Sequence, residues 1–217
     1  MKTKPPYHIA IVDDHALFAK SLEKLIDSFE EFEVVFHAIN GLDLQNKLKV
    51  SELLPDVILL DINMPVMNGL ETMEWLSGQH PEINVLALTM EDEESLMIKM
   101  IRKGASGYLL KDIYPDVLKA AIFEVIQKGF YYTEKVNTAL MGALHTKEKP
   151  VENSKLKKKE ITFIKLASTE MTYKEIAEEM NLSPKTIDGY RQELFNKLEL
   201  KNRVGLVLYA MKNNLID

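Results

Sequence analysis

In three places this chain sets a charged side chain at the end of a short apolar run. Asp13 and Asp14 follow Ile9-Ala10-Ile11-Val12, Asp61 follows Val57-Ile58-Leu59-Leu60, and Lys111 follows Gly107-Tyr108-Leu109-Leu110. Runs of that length and content read as buried strands of a parallel sheet. Ligands of such sheets bind in the crevice beyond the carboxyl ends of the strands. The three ends therefore make one polar pocket, with carboxylates to hold a cation and a lysine to answer an anion. Two adjacent acids and a third from a neighbouring strand form a hard oxygen site. Mg²⁺ suits it, because that ion takes few carboxylates, keeps several waters and accepts a phosphate oxygen. Taken alone, Asp13-Asp14 reads equally as the N-cap of a helix; Asp61 and Lys111 tip the balance to the pocket.

The elements that must carry these residues follow from the periodicity. Strands are expected at 8–13, 32–39, 56–60, 83–89 and 106–110, with helices at 15–29, 41–51, 69–78, 92–103 and 114–128. Five strands alternating with five helices predict a doubly wound five-stranded parallel sheet, flavodoxin-like, over 1–129. Gly129 ends the last of these helices. Residues 130–155 read as a linker, polar and proline-containing from His145, with a short helix at 134–144. From 156 to 217 there is no strand pattern, and four helices are expected at 157–168, 173–180, 184–198 and 203–213. Thr172 with Glu175 forms a capping box, and Ser183-Pro184 supplies an N-cap and a proline at the first helical position. Only Asn181-Leu182 separates the second and third helices, which is helix-turn-helix spacing.

Bulk properties narrow the classes. With 217 residues, the chain suits one α/β domain and a small second one. It has no cysteine, so disulfides, thiol nucleophiles and cysteine-ligated metals are excluded. No apolar stretch approaches the roughly 18 residues that span a bilayer, and no signal core opens the chain, so no membrane association and a cytoplasmic location are expected. The net charge of −6 is unevenly shared. Residues 1–150 carry an acidic excess, whereas residues 151–217 are slightly basic, with Lys155, Lys157, Lys158 and Lys159 clustered. Nucleic acid is repelled less by the second part.

Asp61 opens the stretch Asp61-Ile62-Asn63-Met64-Pro65-Val66-Met67-Asn68-Gly69. Here the first 128 residues resemble the receiver domain of two-component response regulators. The acid pair, the Asp with Met-Pro and Gly following, Thr89, Tyr108 and Lys111 all fall in that family's order. The resemblance implies that Asp61 is the phosphoacceptor for a sensor histidine kinase. It also implies that Mg²⁺ is held by Asp14 and Asp61, by Asp13 through water and by the Asn63 backbone carbonyl. Lys111 and Thr89 then take part in phosphoryl transfer, and Thr89 and Tyr108 form the switch. Taken singly, Thr89 caps a strand and Tyr108 is core. Asp112 stands where many receivers have a proline, which removes a cis-proline constraint and sets a negative charge beside the pocket. Asn63 and Glu91 flank the path of an attacking water and predict fairly rapid self-dephosphorylation.

Residues 156–213 resemble the LuxR-type helix-turn-helix output domain. The resemblance rests on Leu156, Glu160, Leu166, Lys174-Glu175-Ile176-Ala177, Leu182 through Ile187, Lys197-Leu198 and Asn202-Arg203. Receiver plus LuxR-type output is the pattern of the NarL/FixJ class. It implies that the third helix reads double-stranded DNA at paired half-sites, with Lys185, Thr186, Asp188, Gly189, Arg191, Gln192 and Lys197 as DNA-binding residues. Arg191 suits guanine, Gln192 adenine and Asp188 the cytosine amino group. Gly189 costs about 1 kcal/mol in a helix interior, which a close approach to the groove would explain. The last helix, with Val204, Val207, Leu208 and Met211, has surplus apolar surface, for pairing two output domains or for packing on the first helix of the domain.

The combined expectation is a transcriptional regulator that phosphorylation shifts towards a DNA-binding homodimer. It is not an enzyme, apart from Mg²⁺-dependent self-phosphorylation and self-dephosphorylation at Asp61. Two other classes compete. A phosphohydrolase of the haloacid-dehalogenase type needs a second Asp where Asn63 stands. A receiver that regulates a protein or RNA partner leaves the basic third helix without a purpose.

Overall fold

The computed structural model describes residues 6–90, 93–133, 156–198, 200–213 and 215–216. The helix expected at 134–144, most of the linker and Glu91 lie outside the described residues. Strands β1 (Tyr7–Val12), β2 (Phe32–Ala38), β3 (Val57–Asp61), β4 (Asn84–Thr89) and β5 (Gly107–Leu110) alternate with five helices. These are α1 (Ala16–Asp27), α2 (Gly41–Val50), α3 (Gly69–Gln79), α4 (Glu94–Arg102) and α5 (Pro115–Lys128). The sheet is parallel in the order β2-β1-β3-β4-β5, so the direction of winding reverses at β1 and β3. That reversal opens the crevice in which such sheets bind ligands.

Alternation along the strands sorts the core into two layers. Ala10, Val12, Ile58, Leu60, Val85, Ala87 and Tyr108 face α2, α3 and α4. Ile9, Ile11, Val57, Leu59, Leu86, Leu88 and Leu109 face α1 and α5. Val57 through Leu60 are wholly buried, which is why β3 reads as an unbroken apolar run rather than an alternating one. Truncating one such leucine to alanine costs about 2–5 kcal/mol.

The second group of helices is α6 (Lys158–Ala167), α7 (Tyr173–Glu179), α8 (Pro184–Lys197) and α9 (Arg203–Lys212). The caps read from the sequence are present. Thr172 Oγ1 accepts from Glu175 N while Glu175 Oε2 accepts from Thr172 N, and Ser183 Oγ accepts from Thr186 N. Phe163, Ile164, Ile176, Ala177, Ile187, Leu194 and Leu206 form the core. The apolar surface of α9 packs on α6, one of the two expected alternatives, and part of it has a further neighbour. Val204 joins the core layer under α2–α4 and Leu208 packs against it, while Leu206, Tyr209 and Ala210 face the core formed by the other three helices. Among the described residues no helix is long and apolar enough to cross a membrane.

Candidate phosphorylation pocket and nucleic-acid interface

Strand geometry brings the expected pocket residues together. Asp13 and Asp14 directly follow β1, Asp61 is the last residue of β3, Thr89 the last of β4, and Lys111 directly follows β5. Asp13, Asp61 and Thr89 are buried, whereas Asn63 is exposed. Lys111 Nζ lies 2.7 Å from Asp13 Oδ2 and 2.9 Å from Asp61 Oδ2. The ring of Phe18, from α1, sits 4.8 Å from the same ammonium. Lys111 N donates to Thr89 O, which ties the β5 end to the β4 end.

The two oxygens of Asp61 differ. Oδ1 accepts from Ile62 N at 2.8 Å. Oδ2 is buried and has no hydrogen bond, because the Lys111 contact is an ion pair without hydrogen-bond geometry. Burial pushes the Asp61 carboxyl above the usual carboxylate range. The Lys111 ammonium opposes this, the neighbouring Asp13 adds to it, and the Ile62 N–H opposes it. A buried, negatively charged oxygen without a donor is costly unless another cation joins it. Asp13, Asp14 and Asp61 present carboxylate oxygens to one point, so the donor set fits a hard divalent ion.

The loop after Asp61 is shaped by close approach and strain. A Cβ on Gly69 would come within 2.5 Å of Asp61 O, so only glycine lets α3 start against the pocket strand. Asn68 Oδ1 accepts from Glu71 N, and Glu71 Oε2 accepts from Asn68 N, closing a capping box there. Val66 has φ of 71°, and Met67 N donates to Pro65 O across it, a γ-turn rarely tolerated by a β-branched residue. Tyr108 is 4% exposed, so its ring already lies inward in the core. Among the pocket's residues, sequence reasoning passed over three. His15 reaches three carboxylates, His37 Nε2 bonds Asp13 O at 2.8 Å, and Phe18 lies beneath Lys111. An Asp-Asp-His triplet at a strand end was the available signal for the first.

On α8, Lys185, Thr186, Asp188, Gly189 and Gln192 are exposed on the outer side, and Ile187, Leu194 and Leu198 are buried. Nothing lies within 4 Å of where a Gly189 Cβ would stand, so packing within the chain does not require glycine there. Arg191 and Lys197 are placed differently. The Arg191 guanidinium lies 5.1 Å from the Tyr173 ring and lines a narrow crevice together with Pro81, Ile83 and Ser106 from the sheet domain. Lys197 Nζ pairs with both oxygens of Glu160, at 3.0 and 2.8 Å.

That crevice marks where the two halves meet. Asn202 Nδ2 donates to Ile101 O and Ala105 O, at 2.9 and 3.1 Å, while its Oδ1 caps α9 by accepting from Gly205 N. Arg203 is 1% exposed. Its guanidinium donates to Ala167 O, Thr169 O and Met171 O, and across the junction to Lys128 O at 2.7 Å. Phe130 and Tyr173 lie 5.0 and 5.2 Å from it. Gly129, at φ 83°, ends α5, and a Cβ there would come within 2.9 Å of the Tyr173 ring. Asn202 and Arg203 entered the sequence reading only as family landmarks, because a contact with the other half leaves no periodic trace.

Residues 9–123 match the family model of the response regulator receiver domain, and residues 154–210 match that of the bacterial regulatory proteins, luxR family. The chain belongs to the response regulators. Similar response regulators include the oxygen regulatory protein NreC of Staphylococcus epidermidis, 33% identical over 217 residues, with 96% of this chain and 99% of that protein covered. The transcriptional regulatory protein MctR of Rhizobium johnstonii is 31% identical, with 100% and 99% covered. DegU of Brevibacillus brevis is 32% identical, with 96% and 94% covered. Among solved structures, the response regulator ChrA of a heme-sensing two-component system matches with a TM-score of 0.50 at 26% identity over 97% of this chain and 99% of that one. RcsB, solved in complex with DNA, shares the fold at a TM-score of 0.56 and 24% identity, over 96% and 99%. In this response regulator the receiver therefore ends in the Asp61 pocket on one side and holds α9 and the flank of α8 on the other.

Proposed function

We propose that this response regulator is switched by phosphorylation of Asp61 and reads double-stranded DNA with α8 in the phosphorylated form, as a homodimer on paired half-sites. The observation that carries the reading is Asp61 itself. It is 3% exposed, at the end of a central strand, with one oxygen lacking a hydrogen bond and a lysine ammonium 2.9 Å away. A carboxylate attacks an anionic phosphoryl group only where charge is offset. Mg²⁺ bound by Asp14, Asp61 and the Asn63 carbonyl, with Asp13 acting through water, would supply that neutralisation. A carboxylate oxygen of Asp61 forms the bond to phosphorus as the bond to the donor histidine's nitrogen breaks, and the leaving imidazole keeps the electron pair and takes up a proton. Lys111 moves its ion pair from Asp61 to the new phosphoryl oxygens, and Thr89 offers its hydroxyl.

Lys185, Thr186, Asp188, Gly189 and Gln192 form the proposed reading face, joined by Arg191 when the crevice opens. Lys197 enters it with its charge already matched by Glu160. The added phosphoryl group favours an arrangement in which α9 leaves the receiver and becomes free to pair with a second copy. The test adds beryllofluoride and Mg²⁺ to the full chain and follows dimer content and affinity for DNA selected from random sequence. Both should rise in the parent and stay flat in Asp61→Asn. Flat behaviour in both proteins refutes the reading.

A further inference from the structure

His15 is a third kind of group at the pocket, and neither of the roles described above uses it. It precedes α1 as the N-cap residue, but its side chain makes no capping hydrogen bond. Its backbone N–H already donates to Asp13 Oδ1 at 2.8 Å, so the local turn does not need the ring. The ring is 68% exposed and yet lies over the carboxylates. Nδ1 is 3.1 Å from Asp14 Oδ1, 3.3 Å from Asp13 Oδ1 and 3.9 Å from Asp61 Oδ2.

Those separations have the dimensions of a shared coordination shell. Ligand atoms about 2.1 Å from one octahedral ion stand about 3 Å apart when adjacent and about 4.2 Å apart when opposite. The second pointer is Asp61 Oδ2, buried, facing the same point and, apart from its ion pair with Lys111 at 2.9 Å, without a hydrogen bond. Magnesium prefers oxygen and retains water, so an imidazole gives it little. First-row transition ions accept imidazole nitrogen more readily than Mg²⁺ does, with Mn²⁺ the weakest binder of that row.

The geometry points to His15 as a nitrogen ligand that makes this pocket selective for Mn²⁺-like transition ions over Mg²⁺. The inference rests on the phosphoacceptor reading, since it assigns a further ligand to the same cation. The ring's exposure suits the role, because a ligand at the mouth of the pocket leaves the inner side open to phosphate and water. The backbone geometry of α1 does not depend on the ring, so variants at this position keep the fold.

The test uses the full chain and its His15→Ala and His15→Gln variants at one fixed pH. Free Mn²⁺ is followed by its electron paramagnetic resonance signal during titration, and Mg²⁺ affinity is obtained by competition. The parent should prefer Mn²⁺, and that preference should fall about 10-fold or more in both variants through weaker Mn²⁺ binding alone. Electron spin-echo modulation from a directly bound nitrogen should appear in the parent and vanish in both variants. An unchanged Mn²⁺ to Mg²⁺ ratio, or nitrogen coupling that is absent from the parent or survives in His15→Ala, overturns the assignment while leaving the phosphoacceptor reading intact. If neither cation binds the parent at the pocket, and Asp61→Asn alters nothing, the phosphoacceptor reading falls with it.

Discussion

Replacing Asn202 with aspartate separates the contact between the two halves from the folding of either. The Asn202 side chain has two jobs on opposite atoms. Its Oδ1 caps α9 at Gly205 N, 3.0 Å away, and its Nδ2 donates to Ile101 O and Ala105 O of the receiver. An aspartate keeps an acceptor for the cap, and Asp and Asn are nearly equivalent N-caps. It loses both donors and sets a carboxylate against two carbonyl oxygens at a position 7% exposed. Two neutral hydrogen bonds are together worth about 1–3 kcal/mol net, and the unpaired charge adds to that. The closed arrangement should therefore weaken relative to the open one by about 10- to 100-fold in population. Small-angle scattering reads the opening directly, and fluorescence anisotropy on selected DNA reads its consequence. The unphosphorylated Asn202→Asp protein should be more extended and bind DNA about 10-fold or more tighter, with the unfolding of α6–α9 unchanged. A variant that stays compact and gains no DNA affinity refutes the reasoning. Arg203 is unsuited to this experiment, because three of its four carbonyl partners lie within its own domain.

Two further outcomes concern stability. Val66→Gly should raise the receiver's unfolding temperature by roughly 2–4 °C. It relieves about 1–3 kcal/mol of backbone strain, offset by about 0.5–1 kcal/mol of added chain entropy, and Val66 is 78% exposed and loses little burial; an unchanged or lower temperature in calorimetry removes strain from the account. Burial pushes the Glu160 carboxyl up, but Lys197 and the Lys157 N–H outweigh it and hold it below the ordinary value of 4.5. A lowered native value stabilises above the unfolded value and is lost as pH falls through the native one. Urea denaturation of the parent should therefore show α6–α9 weakening below pH 4.5, whereas Glu160→Gln should weaken less steeply there, through Glu175, whose capping hydrogen bonds also hold its carboxyl low, and be weaker by about 2 kcal/mol at pH 7. Equal acid dependence in the two proteins would show that the Lys197 pair contributes nothing.

The receiver half was legible because each of its signals is local. A four-residue apolar run such as Val57–Leu60 is a strand whatever packs on it, and its end locates Asp61. The capping box at Thr172 and the N-cap at Ser183 are likewise written within four residues. What the sequence left open depends on groups brought together across distance. His37 lies 24 residues from Asp13, and its bond to the Asp13 carbonyl exists only because β1 and β2 pair. The apolar face of α9 was visible, but hydrophobicity alone does not name its neighbour, and Val204 and Leu208 proved to face the receiver. Arg191 was expected on the outer face of α8, but Tyr173 and the receiver crevice hold its guanidinium on the flank.

The pocket and the docked helices sit at opposite ends of the sheet. Asp61, Thr89 and Lys111 close the carboxyl ends of their strands, while Ile101 and Ala105, which hold Asn202, precede the amino end of β5. Strands of four to six residues put roughly 13–20 Å between the two. A phosphoryl group on Asp61 therefore touches nothing at the junction, and the junction's bonds from Asn202 join neutral dipoles that feel its charge weakly. The link has to be an element that moves, and α4 meets the requirement. It follows Thr89 in the chain, and its Met97, Met100 and Ile101 share one core layer with Tyr108 and Val204. Its last turn carries the Ile101 carbonyl. A shift of about 1 Å in α4 would stretch the 2.9 Å bond to Ile101 O beyond hydrogen-bond range. If both phosphorylation and Asn202→Asp act by breaking that one contact, their effects on DNA affinity cannot add. Beryllofluoride should then tighten DNA binding strongly in the parent and barely in Asn202→Asp. Full additivity would mean that the pocket signals through some other surface, and that α4 is a packed bystander.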